Sequence, residues 1–206
     1  MKIASLQVGP IQTNCYVVYD EDAKVCAVID PGAETTRIAQ TVALTGCSLS
    51  CILLTHGHGD HTGGVKKMQE KFPGVPVYLN ERDRYPEGSA AAEYLFPALH
   101  GDIRNYDEGD RIQVGGMTFA VLATPGHSEG SVTLQLEDFL FCGDTLFAGS
   151  CGRTDFVGGS QEKILASLRR LGQLPGDYQV LPGHMDPTDL SCERSTNPCM
   201  LQALRG

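Results

Sequence analysis

The chain has 206 residues, of which 41% are hydrophobic and 20% charged, so it is long enough to bury a domain core and too apolar to be disordered. Its formal net charge is −9 and its lysines and arginines form no cluster longer than two residues, which argues against a nucleic-acid partner. The longest apolar runs fall far short of the roughly 20 residues of a spanning helix, so no membrane partner is expected.

The first residues carry one positive charge but lack the apolar stretch of a signal peptide, so we expect residence in the cytoplasm. Eight cysteines are scattered along the chain and include no Cys-x-x-Cys pair. This distribution favours free thiols over a disulfide framework or a thiolate zinc ribbon.

The first half of the chain alternates short apolar runs with two helical patterns. In chain order these predict strands 3–8, 14–19 and 25–30, a helix 34–44, a strand 50–55, a helix 64–72 and a strand 75–79. Gly9-Pro10 and an acidic turn separate the first three strands into an antiparallel meander, and Gly46 and Pro73-Gly74 end the two helices.

The second half also mixes strands and helices. In chain order it predicts a short helix 90–96, strands 112–114, 117–123, 131–136 and 139–142, a helix 161–171, a strand 178–181 and a closing helix 195–204. No low-complexity linker separates the halves. We therefore expect an α+β fold, with two β-sheets packed face to face and helices outside, in a single domain of residues 1–206.

Five of the six histidines stand in Gly-rich segments at the ends of predicted strands: His56, His58 and His61 in Thr-His-Gly-His-Gly-Asp-His, then His127 and His184 after Pro-Gly turns. A helix would scatter side chains at these spacings around its axis. A loop containing Gly57 and Gly59 can instead turn two ligands toward one ion and two toward another. The spacing therefore predicts two metal sites.

This histidine loop contains no cysteine, although closed structural zinc sites usually include thiolates. An open catalytic site is therefore favoured. Asp144, in Phe-Cys-Gly-Asp-Thr, stands at another predicted strand end. Loops at strand ends of a rigid scaffold can bring such distant residues together.

These residues, in the order His56-x-His58-x-Asp60-His61, His127, Asp144 and His184, resemble the metallo-β-lactamase superfamily over nearly the whole chain. Thr124-Pro125-Gly126-His127, Gly143-Asp144-Thr145-Leu146-Phe147 and Cys151-Gly152-Arg153 are similar to its glyoxalase II branch. Gln12-Thr13-Asn14-Cys15-Tyr16 and Glu193-Arg194-Ser195-Thr196-Asn197-Pro198 resemble the short bacterial members of that branch. The resemblance implies an αββα sandwich of two mixed sheets flanked by helices.

The resemblance also implies two divalent metal ions, with zinc as the first choice and iron or manganese as alternatives. It places His56, His58 and His127 on one ion, Asp60, His61 and His184 on the other, and Asp144 as a bridge between them. Without the resemblance, Asp60 could be the N-cap of the following helix and Asp144 an ordinary turn residue.

A binuclear centre of this kind suits a glyoxalase II-like hydrolase. Two ions about 3.5 to 4 Å apart share a bridging hydroxide at neutral pH, because they lower the pKa of water toward about 7. Asp60 and Asp144 would be the carboxylates of the catalytic centre. The expected partner is a small-molecule thioester, since a thiolate leaves without a strong general acid.

Three departures from glyoxalase II concern the substrate. The chain ends before the helical C-terminal domain that supplies basic residues for glutathione. Arg153 falls where the family has a lysine that contacts glutathione, and Asp155 falls where an aromatic residue is expected. Arg153 is therefore a candidate to bind a substrate carboxylate, with an ordinary surface charge as the alternative.

Other functions stay open at this point. A mononuclear iron persulfide dioxygenase of the same superfamily would use His56, His127 and Asp144. Lactonase and β-lactamase reactions would direct the same hydroxide at other activated carbonyls. A metal-stabilised, non-catalytic partner-binding module would be supported by loss of a ligand, and no ligand is missing.

Overall fold

The computed structural model describes the backbone of all 206 residues and every side chain except that of Tyr94. Its first sheet has six strands, in the spatial order β1 (Lys2–Val8), β2 (Thr13–Asp20), β3 (Val25–Ile29), β4 (Ser48–Leu53), β5 (Val77–Tyr78) and β6 (Ile103–Arg104). β1, β2 and β3 pair antiparallel, whereas β3 to β6 run parallel. This sheet is therefore mixed.

The second sheet also has six strands. In chain order they are β7 (Arg111–Val114), β8 (Met117–Ala123), β9 (Val132–Leu136) and β10 (Phe139–Gly143), then, after the small hairpin of β11 (Leu146–Phe147) and β12 (Ser150–Cys151), β13 (Gln179–Pro182) and β14 (Thr188–Asp189). Only β10 and β13 pair parallel. The parallel pair lies between β9 and the edge strand β14.

Helices alternate with the strands along the chain. They are α1 (Thr35–Thr45), α2 (Gly59–Thr62), α3 (Val65–Lys71), α4 (Ala90–Tyr94), α5 (Gln161–Gly172), α6 (Leu190–Thr196) and α7 (Pro198–Arg205), with a 3-10 turn at Glu81–Asp83. Among the described residues, no helix combines the length and the apolar character needed to cross a bilayer.

Alternating side chains along the strands build three apolar layers. In β2, Val17 packs with the α1 side chains Ile38 and Val42, and the next residue, Val18, packs with Phe119 between the two sheets. On the outer face of the second sheet, a third cluster joins strand residues such as Leu140 to Leu168 of α5 and Met200 of α7. Both faces of each sheet are therefore buried, which confirms the predicted αββα sandwich.

The predicted closing helix 195–204 is wrong in its boundaries. Two helices, α6 and α7, replace it and meet at Asn197. Pro198 occupies the first turn of α7, where its missing N–H costs no hydrogen bond, and the Asn197 side chain accepts from the amides of Cys199 and Met200. The Asn-Pro pair is therefore a helix start, which the apolar pattern alone did not reveal.

Asn197 also joins the β11–β12 hairpin to the junction of α6 and α7. Its side-chain amide donates to the carbonyl oxygens of Ser150 at 2.9 Å and Phe147 at 3.2 Å, and Asn197 is fully buried. We expect Asn197→Ala to lower the free energy of unfolding by about 3 kcal/mol, because it removes a helix cap and leaves buried carbonyls unpaired.

Urea denaturation measures this change, with Ser195→Ala on the exposed side of α6 as the control. The control should stay within about 0.5 kcal/mol of the unaltered protein. A loss for Asn197→Ala no larger than for the control would show that Asn197 does not join α7 to the hairpin.

Candidate metal centre

Four strand ends from the two sheets meet at one edge of the sandwich. The loops that follow β4, β8, β10 and β13 carry, in that order, the first histidine cluster, His127, Asp144 and His184. The structure therefore brings all seven predicted ligands together: His56, His58, Asp60, His61, His127, Asp144 and His184.

The first histidine cluster is partly helical, which corrects the prediction of a loop. His58 precedes α2, and Asp60 and His61 lie in its single turn. Asp60 is not the N-cap of α3, because that position belongs to Gly64. The turn leaves the Asp60 carboxylate facing His61 and His184.

His56, His58 and His127 form the first ligand group. Nδ1 of His58 lies 3.1 Å from Nε2 of His56 and 2.9 Å from Nε2 of His127. All three side chains are buried, so three imidazole nitrogens converge on one point that is shielded from solvent. This is the arrangement that a divalent transition metal requires of histidine ligands.

Asp60, His61 and His184 form the second ligand group. Oδ2 of Asp60 lies 3.2 Å from Nε2 of His61 and 3.1 Å from Nε2 of His184. Thr13 donates a hydrogen bond to the same carboxylate oxygen at 3.1 Å, which fixes the orientation of Asp60. This group is more open than the first, because Asp60 and His184 are only partly buried.

Asp144 stands between the two groups. One of its oxygens lies 3.3 Å from Nε2 of His61, and the other lies 3.4 Å from Nε2 of His127 and 3.6 Å from Nε2 of His184. The carboxylate therefore reaches both ligand groups, as a bridging ligand must.

Two glycines permit this close approach. Gly143, just before Asp144, has φ +48°, and a Cβ atom there would meet the Thr55 side chain at 2.3 Å. A Cβ atom at Gly183 would meet Oδ1 of Asp144 at 2.2 Å. A side chain at Gly183 would therefore clash with the Asp144 carboxylate, and one at Gly143 would clash with Thr55 beside it.

The donor set fits a metal ion. Nε2 of His61 and Oδ1 of Asp144 are buried, face each other, and have no hydrogen-bond partner. Buried polar atoms are rarely left unpaired, because each such atom loses its hydration without compensation. A cation between them would use both lone pairs. Imidazole and carboxylate together suit zinc, iron and manganese.

The protonation states of His56, His58 and Asp144 also suit a metal. Burial lowers the pKa of His56, and it lowers the pKa of His58 to about 4, so both imidazoles are neutral near pH 7. Burial opposes ionisation of Asp144, but the charge of His61 outweighs this effect and holds the pKa of the Asp144 carboxyl below its usual range. Neutral imidazoles and ionised carboxylates are the forms that bind metal.

The protonation of His61 is different. Burial opposes its charged form, yet the nearby carboxylates of Asp30 and Asp144 outweigh burial and raise the pKa of His61. These carboxylates therefore favour the protonated form of the His61 ring. Metal binding at Nε2 would displace a proton from that nitrogen.

Asp30 is a functional residue that the sequence reading missed, since it was assigned only as the end of a strand. This buried carboxylate lies 2.9 Å from Nδ1 of His61 and accepts hydrogen bonds from the hydroxyl and amide of Thr55. It fixes the His61 ring with Nε2 toward the cluster. The available signal was Asp30-Pro31-Gly32 at a strand end, the same kind of position as Asp144.

Asp83 is a second missed residue, in a polar stretch without a motif. Its Oδ2 accepts from the Gly57 amide at 2.9 Å and from the Ser128 hydroxyl at 2.6 Å, and its Oδ1 accepts from the Gly130 amide at 2.7 Å. Gly57 lies between His56 and His58, and Ser128 follows His127. Asp83 therefore joins the two loops that carry the first ligand group.

Comparison with known proteins agrees with this geometry. The family model described as the metallo-beta-lactamase superfamily matches residues 8–184. The chain therefore belongs to this superfamily. Its relatives include a probable metallo-hydrolase, YqgX, of Bacillus subtilis, 38% identical over 96% of this chain and 97% of the relative. Another is the hydroxyacylglutathione hydrolase GloC of Haemophilus influenzae, 33% identical over the same shares.

Solved superfamily structures share the fold. TTHA1623, solved in a di-iron-bound form, is 36% identical with a TM-score of 0.81 and covers 95% of this chain and 98% of that one. The B3 metallo-beta-lactamase BLEG-1 is 33% identical with a TM-score of 0.82 and covers 97% of this chain and 99% of that one. ETHE1 from Myxococcus xanthus is 30% identical with a TM-score of 0.81 and covers 96% of this chain and 84% of that one.

Arg153, the predicted substrate-binding residue, lines the cavity beside the centre. Its guanidinium makes two 2.6 Å hydrogen bonds to the Asp155 carboxylate and stacks 3.9 Å above the ring of Phe156. Its backbone oxygen lies 2.9 Å from Nδ1 of His127. The aromatic residue expected at position 155 is supplied by the next residue, Phe156, which also lines the cavity.

We expect Asp83→Asn to weaken metal binding by about tenfold, because an amide cannot accept from all three donors and the two histidine loops would separate. Chelator competition measures the affinity, and circular dichroism verifies the fold. Asp102→Asn, which alters an exposed carboxylate paired with Arg104, serves as the control and should bind metal normally. Equal affinities for the two variants would contradict the positioning role of Asp83.

Proposed function

We propose that this chain is a binuclear metal-dependent hydrolase that cleaves small acyl thioesters, with zinc as the first choice of metal. The observation that carries the proposal is the position of Asp144, whose two oxygens reach both ligand groups. A mononuclear centre would need neither this bridge nor the second group.

In this proposal each ligand group would hold one ion, and Asp144, which reaches both groups, would be a ligand of each. When bound, the ions supply a Lewis acid for the carbonyl and lower the pKa of a shared water toward about 7. The protein orients the ligands through the outer nitrogens of the imidazoles: His61 toward Asp30, His127 toward the Arg153 carbonyl and His184 toward the Ile11 carbonyl. Such contacts fix the ring orientation before substrate arrives.

Asp60 has a further role in the proposal. Its carboxylate both belongs to the second ligand group and lines the cavity, so it can accept a hydrogen bond from the attacking water. The bond from Thr13 holds one carboxylate oxygen toward His61 and His184.

The thioester assignment follows from the leaving group. Ligand carboxylates remain ionised, so Asp60 and Asp144 cannot donate a proton to a poor leaving group. A thiolate departs without such a donor, whereas an amine does not. The name of the relative GloC, a hydroxyacylglutathione hydrolase, supports the same assignment, and the di-iron form of TTHA1623 supports two ions.

Metal analysis and an activity assay on the same preparation test the proposal. We expect two ions per chain and hydrolysis of either S-lactoylglutathione or an uncharged short-chain acyl thioester, lost on chelation and restored by metal. One iron per chain with oxygen uptake from a glutathione persulfide would replace the proposal with the dioxygenase. Two bound ions without turnover of any thioester would favour a partner-binding module.

We expect Asp60→Ala to lower hydrolysis by more than about tenfold at saturating metal, because it removes a ligand and the carboxylate that orients water. Asp186→Ala is the matched control, since it removes an exposed carboxylate two residues from His184. Circular dichroism verifies both folds. Unchanged turnover in Asp60→Ala would reject the assigned role.

A further inference from the structure

The cavity beside the metal centre has a volume of about 730 Å³ and a largely apolar wall. Leu95, Phe147 and Phe156 contribute to this wall, together with the more exposed Ile11 and Met185. Ile11 is 59% exposed and Met185 51%, and they are two of the three large hydrophobic side chains that are more than half exposed among the described residues. Apolar surface gathered around one opening marks a binding site for an apolar ligand.

The charges along the same wall do not favour an anion. Among the described side chains that line the cavity, Arg153 is the only lysine or arginine. The Asp155 carboxylate accepts hydrogen bonds from Nε and Nη2 of Arg153 in a paired geometry, with N–O distances of 2.6 Å. The hydrogen bonds from Arg153 lower the pKa of Asp155 to about 2, so the carboxylate stays charged at neutral pH. The positive charge of Arg153 is therefore offset.

Glu93 is an acidic residue of the wall, outside the metal ligands. A glutathione carrier has two carboxylates, and Asp155 already occupies the Nε–Nη2 edge of the Arg153 guanidinium, one of the two edges on which an arginine pairs with a carboxylate. A glutathione carboxylate that approached Arg153 would meet the charge of Asp155, and one that lay along the wall would meet Glu93. Like charges at a binding surface disfavour the partner that carries them.

We propose that this cavity selects uncharged thioesters with an apolar acyl group and discriminates against glutathione thioesters through the Arg153–Asp155 pair. The inference rests on the proposed function, because it names the substrate class of that same site. The apolar wall supplies affinity, and the pair withholds the one cation that would bind an anionic carrier.

Kinetics of three substrates test this selection on the metal-replete protein. We expect kcat/KM for hexanoyl-N-acetylcysteamine to exceed that for acetyl-N-acetylcysteamine by at least about tenfold, since each fully buried methylene is worth about fourfold. S-lactoylglutathione should be the poorest of the three. A preference for S-lactoylglutathione would overturn the inference while supporting the proposed function.

Asp155→Asn tests the contribution of the Arg153–Asp155 ion pair to substrate selection. Removing its charge leaves Arg153 able to attract an anionic carrier, so KM for S-lactoylglutathione should fall by about fivefold. KM for hexanoyl-N-acetylcysteamine should stay unchanged. An equal effect on both substrates, or no effect on either, would show that the pair does not control selection.

Ile11→Ser tests the apolar wall. We expect this change to lower the ratio of kcat/KM for the hexanoyl thioester to kcat/KM for the acetyl thioester by about fivefold, because only the longer chain reaches this side chain. Leu44→Ser is the matched control, since it removes an equally apolar and 88% exposed side chain from α1. Equal effects of the two substitutions would reject the wall as an acyl site.

Binding of thioethers, which cannot be hydrolysed, tests the inference independently of catalysis. By calorimetry, S-hexyl-N-acetylcysteamine should bind more tightly than S-hexylglutathione, and Ile11→Ser should weaken the former. This result would support the inference even if no thioester were hydrolysed, in which case the proposed function alone would fail. Tighter binding of S-hexylglutathione would overturn the inference.

Discussion

The contact of the Asp144 carboxylate with both ligand groups is the interaction on which the rest of the site depends. It brings together His127 from one loop and His61 and His184 from two others. The carboxylate can occupy this position only because glycines precede it and pack against it. Five imidazoles and two carboxylates packed in contact would be costly without a cation, since each loses hydration. The strand ends are therefore built around metal binding.

A second layer of carboxylates holds this arrangement in place. Asp30 orients His61 and also accepts from Thr55, which follows β4. Asp83 joins the loops of the first ligand group from a different part of the fold. Neither residue belongs to either ligand group, yet both are buried and bonded to the loops that carry the ligands. Such preorganisation fixes ligand geometry before the metal and substrate arrive.

The sequence was informative where local pattern determines structure. Alternating apolar residues predicted most strands, and the spacing of His56, His58 and His61 predicted the metal site that the structure brings together. The sequence was uninformative where contacts between residues far apart in the chain determine the structure. Asp83 bonds to residues 26 and 45 positions away, and no local pattern predicts such a partner. The two-residue strand β6, which lies in a stretch without a strand pattern, also depends on its pairing with β5.

The substrate side of the site shows the same contrast. Position alone made Arg153 a candidate for binding a carboxylate, but only the structure shows that Asp155 already occupies its donor fork. Several ligand residues, Asp60 and His184 among them, line the same cavity as the apolar side chains. The ligand set is the basis of the proposed binuclear hydrolase, and the apolar wall is the basis of the proposed preference for a less polar substrate than the name of the relative GloC implies.

Anomalous diffraction from crystals of metal-replete protein tests the central claim most directly. The account predicts two peaks, one among the nitrogens of His56, His58 and His127 and one beside Asp60, His61 and His184, with Asp144 in contact with both. Ligand distances should be about 2.0 to 2.2 Å if the metal is zinc. A single peak, or His61 and His184 turned away from the second one, would contradict a binuclear centre.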